Sequence, residues 1–223
     1  MASMNLNGLT NGLVMKNKMN IGIFGGTFDP PHIGHQILAM EAYDELKLDK
    51  LFWVLEPQPP HKLGKKITTL DIRIEMVKAA IDEDQIFEFS SVDINRPGPH
   101  YVVDTMRIFR SLYPTADLAF IMGGDSLHDL PTWYAPQAFV DICDRIGVMQ
   151  RPGEKIDIEQ IEKRLPGISK KIHLIEAPLL EISSNQIRNL VRQNKPFRYY
   201  LPEAVYKIVI RYKLYHDADN NSH

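Results

Sequence analysis

At 223 residues and 44% hydrophobic composition, the chain is long enough to bury a full core as one α/β unit. Its 26 basic and 28 acidic residues are interspersed and leave a formal charge of −2, so no basic stripe marks a nucleic-acid surface. No apolar run reaches the ~18 residues that cross a bilayer, and the first 20 residues lack a compact apolar signal core, so a cytoplasmic protein with no membrane partner is expected.

Residues 1–18, rich in Asn, Gly and Met, read as a flexible leader, with Met15 or Met19 as a candidate native start. The domain is expected over 19–216, and the polar tail 217–223 is expected to fray. Strand-length apolar runs recur at Ile21–Phe24, Leu51–Leu55, Ile86–Phe89, Leu118–Met122, Ile146–Met149 and Ile172–Ile175. Helical patterns over 37–46, 72–81 and 102–112 separate several of them, which predicts a mostly parallel sheet with helices on both faces. Ligands of such sheets lie beyond the carboxyl ends of the strands, so the loops opening at Gly25, Glu56, Ser90, Gly123 and Gln150 should line one cleft. The proline-rich stretch Glu56–Gly64 should be a loop over it. Cys143, the lone cysteine, excludes an intrachain disulfide and should pack as a small apolar residue.

The first of those loops carries the most chemistry. Directly after Ile21-Gly22-Ile23-Phe24 comes Gly25-Gly26-Thr27-Phe28-Asp29-Pro30-Pro31-His32-Ile33-Gly34-His35, a strand, a glycine turn and a helix start. Gly25 and Gly26 let a ligand approach the backbone, and the unpaired N–H groups at the start of the helix favour an anion at the same point. His32 and His35, three apart, share one face of that helix. The arrangement suits a triphosphate. The P-loop spacing is absent, and so is the glycine spacing of a dinucleotide-binding turn.

A second anion site is expected at Glu181-Ile182-Ser183-Ser184-Asn185-Gln186-Ile187-Arg188. Ser183 and Gln186 fit a capping box, and Arg188 follows Ser184 by one helical turn, so a hydroxyl, backbone donors and a guanidinium can converge. Taken alone, the segment reads equally as a capped helix with a solvated arginine. No Asp, Cys and His cluster has metal-ligand spacing, and no metal residue is assigned.

The pattern GG-x-F-D-P-x-H-x-G-H resembles the nucleotidylyltransferase superfamily, whose members bind ATP or CTP with the first strand and H-x-G-H helix of a Rossmann-like domain. His32-Ile33-Gly34-His35 also resembles the class I aminoacyl-tRNA synthetases. Ile182-Ser183-Ser184-x-x-Ile187-Arg188 is similar to the transferases' I-S-S/T-x-x-I-R signature, where synthetases carry a lysine-rich loop that this chain lacks, and the chain is short for an added anticodon-binding domain. Four middle segments narrow the resemblance to the bacterial nicotinate mononucleotide adenylyltransferases. They are Pro60-His61-Lys62, Arg96-x-Gly98-Pro99-x-Tyr101-x-x-Asp104-Thr105, Gly123-Gly124-Asp125-Ser126 and Leu130-Pro131-x-Trp133-Tyr134, within a likeness that covers about residues 20 to 214.

That resemblance implies a single Rossmann-like domain that transfers AMP from ATP to nicotinate mononucleotide, giving nicotinate adenine dinucleotide and pyrophosphate in NAD biosynthesis. It implies ATP binding by Gly25, Gly26, Thr27, Phe28, His32, His35, Asp125, Ser183, Ser184 and Arg188, with His32, His35 and Arg188 acting in catalysis. Around the acceptor it implies Lys62, Thr105, Trp133, Tyr134 and Arg151. Plainer roles stand beside these: Trp133 as a core anchor, Thr105 or Asp125 as a helix cap, Lys62 as an ordinary exposed lysine. Mg²⁺ is expected on the ATP phosphates. A homo-oligomer is left open. The rival functions are a transferase with another acceptor, such as phosphopantetheine, and a nucleotide-binding regulator that has lost the chemistry.

Overall fold

The computed structural model describes residues 18–58, 67–150, 156–178 and 181–216. Lys62, Arg151, the tail 217–223, most of the expected leader and residues 59–64 of the proline-rich loop lie outside the described residues.

Six strands occupy the six apolar runs: β1 (Asn20–Gly26), β2 (Lys50–Leu55), β3 (Phe87–Ser90), β4 (Asp117–Gly123), β5 (Arg145–Gln150) and β6 (Ile172–Glu176). They form one sheet in the order β3-β2-β1-β4-β5-β6, with every neighbouring pair parallel. The strand order reverses between β1 and β4, which opens a crevice at their carboxyl ends. Gly26 and Gly123 end those two strands.

Side chains alternate across the sheet and build two cores. Phe24, Leu51, Trp53, Leu55, Ala119 and Ile121 pack on one face against Leu38 and Ala39 of α1 (Ile33–Glu45), Met76 and Val77 of α2 (Leu70–Ile81), and Val205 and Ile208 near the C-terminus. Ile21, Ile23, Phe52, Val54, Leu118 and Phe120 pack on the other face, against Val103, Met106 and Phe109 of α3 (Val102–Leu112). The period of three along α3 puts those residues on one stripe. Because both faces of the central strands β1, β2 and β4 are covered, these read in sequence as near-continuous apolar runs, whereas the edge strand β6 leaves His173, Leu174 and Glu176 exposed.

Shorter helices α4 (Gly124–Asp129) and α5 (Pro136–Ile142) follow β4, and α6 (Ile158–Arg164) lies between β5 and β6. Helices α7 (Ser184–Arg192) and α8 (Glu203–Arg211) close the fold. Cys143 is buried as expected, and burial pushes its thiol well above the ordinary range. Among the described residues no helix is long and apolar enough to cross a membrane.

Candidate active site

The turn after β1 is built around an aromatic support. Phe28 adopts φ 47°, uncommon for a residue with a side chain. Its ring is 2% exposed and folds back over Gly26, where a Cβ would come within 2.9 Å of it. The ring lies edge-on to Phe24 and to His35, with centroid separations of 5.5 and 5.1 Å. Phe28, expected at ATP, is buried against His35 and fixes the place of that ring.

His32 is the N-cap of α1, and its backbone N–H donates to Nδ1 of His35 at 3.1 Å. That bond puts the proton of a neutral His35 ring on Nε2. The two imidazoles stack with centroids 3.6 Å apart and 24° between planes. His32 is 6% exposed, and burial lowers its ring to about 4, so it is neutral at neutral pH and the stack carries no pair of like charges. Gly34 makes room for this geometry, since a Cβ there would lie 3.1 Å from Nδ1 of His32.

Helix α7 docks on the same turn. Ser183 caps it, accepting from the Gln186 N–H at 3.1 Å, which is the forward half of the expected capping box. Ser184 Oγ donates to the Pro30 carbonyl at 2.8 Å, and Arg188 Nη1 donates to the Asp29 carbonyl at 2.7 Å. The two motifs, more than 150 residues apart in sequence, thus meet through direct hydrogen bonds. Arg188 is held on the turn, not solvated.

Arg73, Thr68 and Tyr215, none of them singled out in the sequence, secure the turn. Arg73 of α2 is 2% exposed and donates to the carbonyls of Thr27, Glu56, Pro57 and Thr68 at 2.7–3.1 Å. The Asp29 carboxylate accepts from the Tyr215 hydroxyl at 2.8 Å and from the Thr68 N–H at 3.3 Å. Burial lowers the Arg73 guanidinium from its ordinary pKa and raises the Tyr215 phenol.

Two hollows open at the carboxyl ends of β1 and β4, and Phe24 and Gly123 border both. At Gly123 an added Cβ would meet nothing within 4 Å, so the backbone there is open to a ligand. The smaller hollow, about 410 Å³, is walled by His32, Gly34, His35, Ser183 and Ser184, with Gln150 across from them. The larger, about 620 Å³, is walled by Thr105, Trp133 and Tyr134 and also by Gly25, Gly26 and Thr27, which the sequence pattern groups with the ATP-binding residues rather than with these. Asp125 lies on the first turn of α4, one residue past Gly124, and its neighbour Ser126 faces the larger hollow.

Trp133 packs edge-on against Phe139 at 5.7 Å and Phe120 at 6.4 Å, and it presents surface to the larger hollow. Tyr134, mostly exposed, stacks on Tyr101 with centroids 4.1 Å apart at the mouth of the same hollow. Thr105 is not a cap: Tyr101 holds the N-cap of α3, and Thr105 is its fourth residue. Its hydroxyl donates to the Asp93 carboxylate, with both oxygens within 2.9 Å, and Asp93 is paired with Arg96 at 2.9 Å.

Comparison with known proteins agrees with this geometry. The cytidylyltransferase-like family model matches residues 23–190. A Thermomicrobium roseum protein named "Probable nicotinate-nucleotide adenylyltransferase" is 40% identical over 199 residues, which is 89% of this chain and 92% of that one. The chain belongs to the nicotinate-nucleotide adenylyltransferase family. A family member of the same name from Clostridium tetani is 36% identical over 206 residues, covering 90% of this chain and all of the relative. Two solved structures of the Plasmodium falciparum nicotinic acid mononucleotide adenylyltransferase, complexed with APC and with NaAD, share the fold. Their TM-scores are 0.71 and 0.72 at 22% identity, over 88% of this chain and 97% of theirs. The H-x-G-H turn and the serine-arginine helix of this adenylyltransferase chain therefore belong to a nucleotide-transfer fold, not to a synthetase.

Proposed function

We propose that the smaller hollow takes the ATP triphosphate and the larger one nicotinate mononucleotide, with the acceptor phosphate meeting the α-phosphorus where the hollows join at Phe24 and Gly123. The activity is that of the family: ATP and nicotinate mononucleotide give nicotinate adenine dinucleotide and pyrophosphate, a step of NAD biosynthesis. The observation that carries the assignment is the stacked pair His32 and His35 facing the capped α7 across one hollow. An acceptor phosphate is already anionic and needs no general base, so catalysis reduces to alignment and to stabilising charge on the leaving pyrophosphate. His35 Nε2–H, the N–H groups that open α7 and the Arg188 guanidinium are the donors for that charge.

Magnesium enters with the nucleotide. A magnesium ion carried by the triphosphate binds chiefly through phosphate and water oxygens. It would neutralise triphosphate charge during the transfer. Both substrates are small and polar, which fits an enzyme of the cytoplasm.

Arg188→Ala should weaken ATP binding and slow transfer while leaving affinity for nicotinate mononucleotide near that of the wild type. Titration calorimetry with each ligand separately reads this, and an equal loss for both would mean general damage to the turn at Asp29.

The larger hollow should favour nicotinate over nicotinamide mononucleotide. We assign the backbone N–H of Tyr134 to the nicotinate carboxylate and the face of Trp133 to the pyridine ring. A carboxamide turned to the same donor leaves buried hydrogen-bonding groups unpaired, a penalty of ~1–3 kcal/mol, or roughly 5- to 150-fold in efficiency. Trp133→Ala should raise the KM for the mononucleotide and leave that for ATP unchanged. Pyrophosphate release with each mononucleotide tests both statements. Equal efficiency in the wild type, or an unchanged acceptor KM in the variant, would refute the assignment. Release with phosphopantetheine alone would favour the rival acceptor.

A further inference from the structure

We propose that Tyr215, just beyond α8, is a positioning residue for nucleotide transfer: acting through Asp29, it sets where Arg188 holds its guanidinium for the triphosphate. The inference rests on the smaller hollow taking ATP.

The path starts with the way α8 ends. The Lys213 N–H donates to the Ile210 carbonyl at 3.1 Å and the Leu214 N–H to the Val209 carbonyl at 3.0 Å, the paired bonds of a Schellman turn. Such a turn needs a left-handed residue after the cap, most often glycine, and here Lys213 takes that place at φ 49°. Tyr215 is left-handed as well, at φ 67°. Backbone strain of this kind persists only where the surroundings over-determine it. Leu214 and Tyr215 supply that hold by packing on the core beneath α8, and the reversal carries the Tyr215 hydroxyl to the turn after β1.

Asp29 of that turn is 5% exposed and is gripped from two directions. Its Oδ1 accepts from the Tyr215 hydroxyl at 2.8 Å, and its Oδ2 accepts from the Thr68 N–H at 3.3 Å. Its carbonyl accepts from Arg188 Nη1 at 2.7 Å. One residue thus joins the segment after α8 to the arginine of α7. Arg188 has a longer second hold, from Nη2 to Asn185 Oδ1 at 3.3 Å on its own helix, so the Asp29 carbonyl is its firmer anchor. Burial and the Asp29 charge keep the Tyr215 phenol protonated, so it stays a donor. Without it the carboxylate is held at one oxygen only, through the longer of its two bonds. The Asp29 peptide then gains freedom to turn, and the guanidinium tied to its carbonyl moves with it.

The experiment is steady-state kinetics with ATP and nicotinate mononucleotide in the full chain, for wild type, Tyr215→Phe, Arg188→Ala and the double variant, with a thermal melt of each. Tyr215→Phe removes one oxygen and keeps the ring. It should lower kcat/KM for ATP by roughly 3- to 10-fold and leave the KM for nicotinate mononucleotide unchanged. In the Arg188→Ala background the same substitution should cost less than about twofold, because the group it positions is gone. An unchanged kcat/KM for ATP in folded Tyr215→Phe, a rise in both KM values, or an equal loss in both backgrounds overturns the proposal. Should Tyr215→Phe not fold, Asp29→Asn decides, since its amide offers one oxygen where the carboxylate offers two. A loss confined to ATP is expected there, and wild-type kinetics would overturn the proposal. Failure of the wild type to release pyrophosphate with nicotinate mononucleotide would refute the adenylyltransferase reading instead. Calorimetric ATP affinities of the same four proteins would still read the link, with a loss from Tyr215→Phe expected only where Arg188 is present, and a wild type that does not bind ATP would overturn both.

Discussion

His35→Ala is expected to lower turnover by ~10²–10³ without unfolding the protein, the usual cost of losing one preorganised donor to developing charge. The preorganisation is visible in three contacts. The His32 N–H occupies Nδ1, which puts the ring proton of a neutral His35 on Nε2. The His32 ring lies flat against the imidazole, and Phe28 meets it edge-on. Little rotamer freedom remains to be lost when the triphosphate arrives, so the donor acts at full strength in the transition state. Steady-state kinetics beside a thermal melt separates chemistry from damage. Near-normal kcat in a folded variant would remove His35 from catalysis, and a rise confined to the KM for ATP would reduce it to uniform binding.

Arg73→Leu is expected to destabilise the fold by about 3–5 kcal/mol, the range seen when one partner of a buried charged network is removed. Leucine fills the aliphatic part of the site but leaves the carbonyls of Thr27, Glu56, Pro57 and Thr68 without their donor. The buried Thr27 carbonyl left unpaired costs ~1–3 kcal/mol, and the part-buried carbonyls of Glu56, Pro57 and Thr68 cost less each, since water can enter. The offsetting gain is release from burying a guanidinium, which Asp29 and Glu56 already reduce by their charge. Lysine, a single ammonium, cannot reproduce the planar fork and should fall between the two. Urea denaturation measures the difference; a loss below about 1 kcal/mol would mean that the four carbonyls find water at little cost.

What the sequence could disclose was local. The apolar runs of the central strands were readable because buried parallel strands need no polar alternation. Helix α2 begins two residues before its apolar stripe, at Leu70. Helices α4, α5 and α6 have 6, 7 and 7 residues, too few turns for periodicity to stand out. The two anion motifs were readable because a strand, a turn and a helix start announce themselves within a dozen residues. Their supports were not: Tyr215 reaches Asp29 across 186 positions and Arg73 reaches Thr27 across 46, and nothing near either residue names its partner. Arg73 left one trace, its register three positions before Met76 on the buried face of α2. Thr105 illustrates a different gap. Its hydroxyl was expected at the acceptor, but the direction of a hydroxyl depends on what lies behind it, and Asp93 stands 12 residues away.

The placement of the two tryptophans has an optical consequence. Trp53 is sealed in the core within 5.1 Å of Phe24 and 6.4 Å of His35, whereas Trp133 borders the larger hollow. An indole at a site boundary changes its emission when solvent is replaced by an aromatic ring, and one in a sealed core does not. The intrinsic fluorescence of the unlabelled chain thus divides into a silent reference and a reporter of acceptor occupancy, and Trp133→Phe should abolish the mononucleotide-dependent signal while the emission of Trp53 persists.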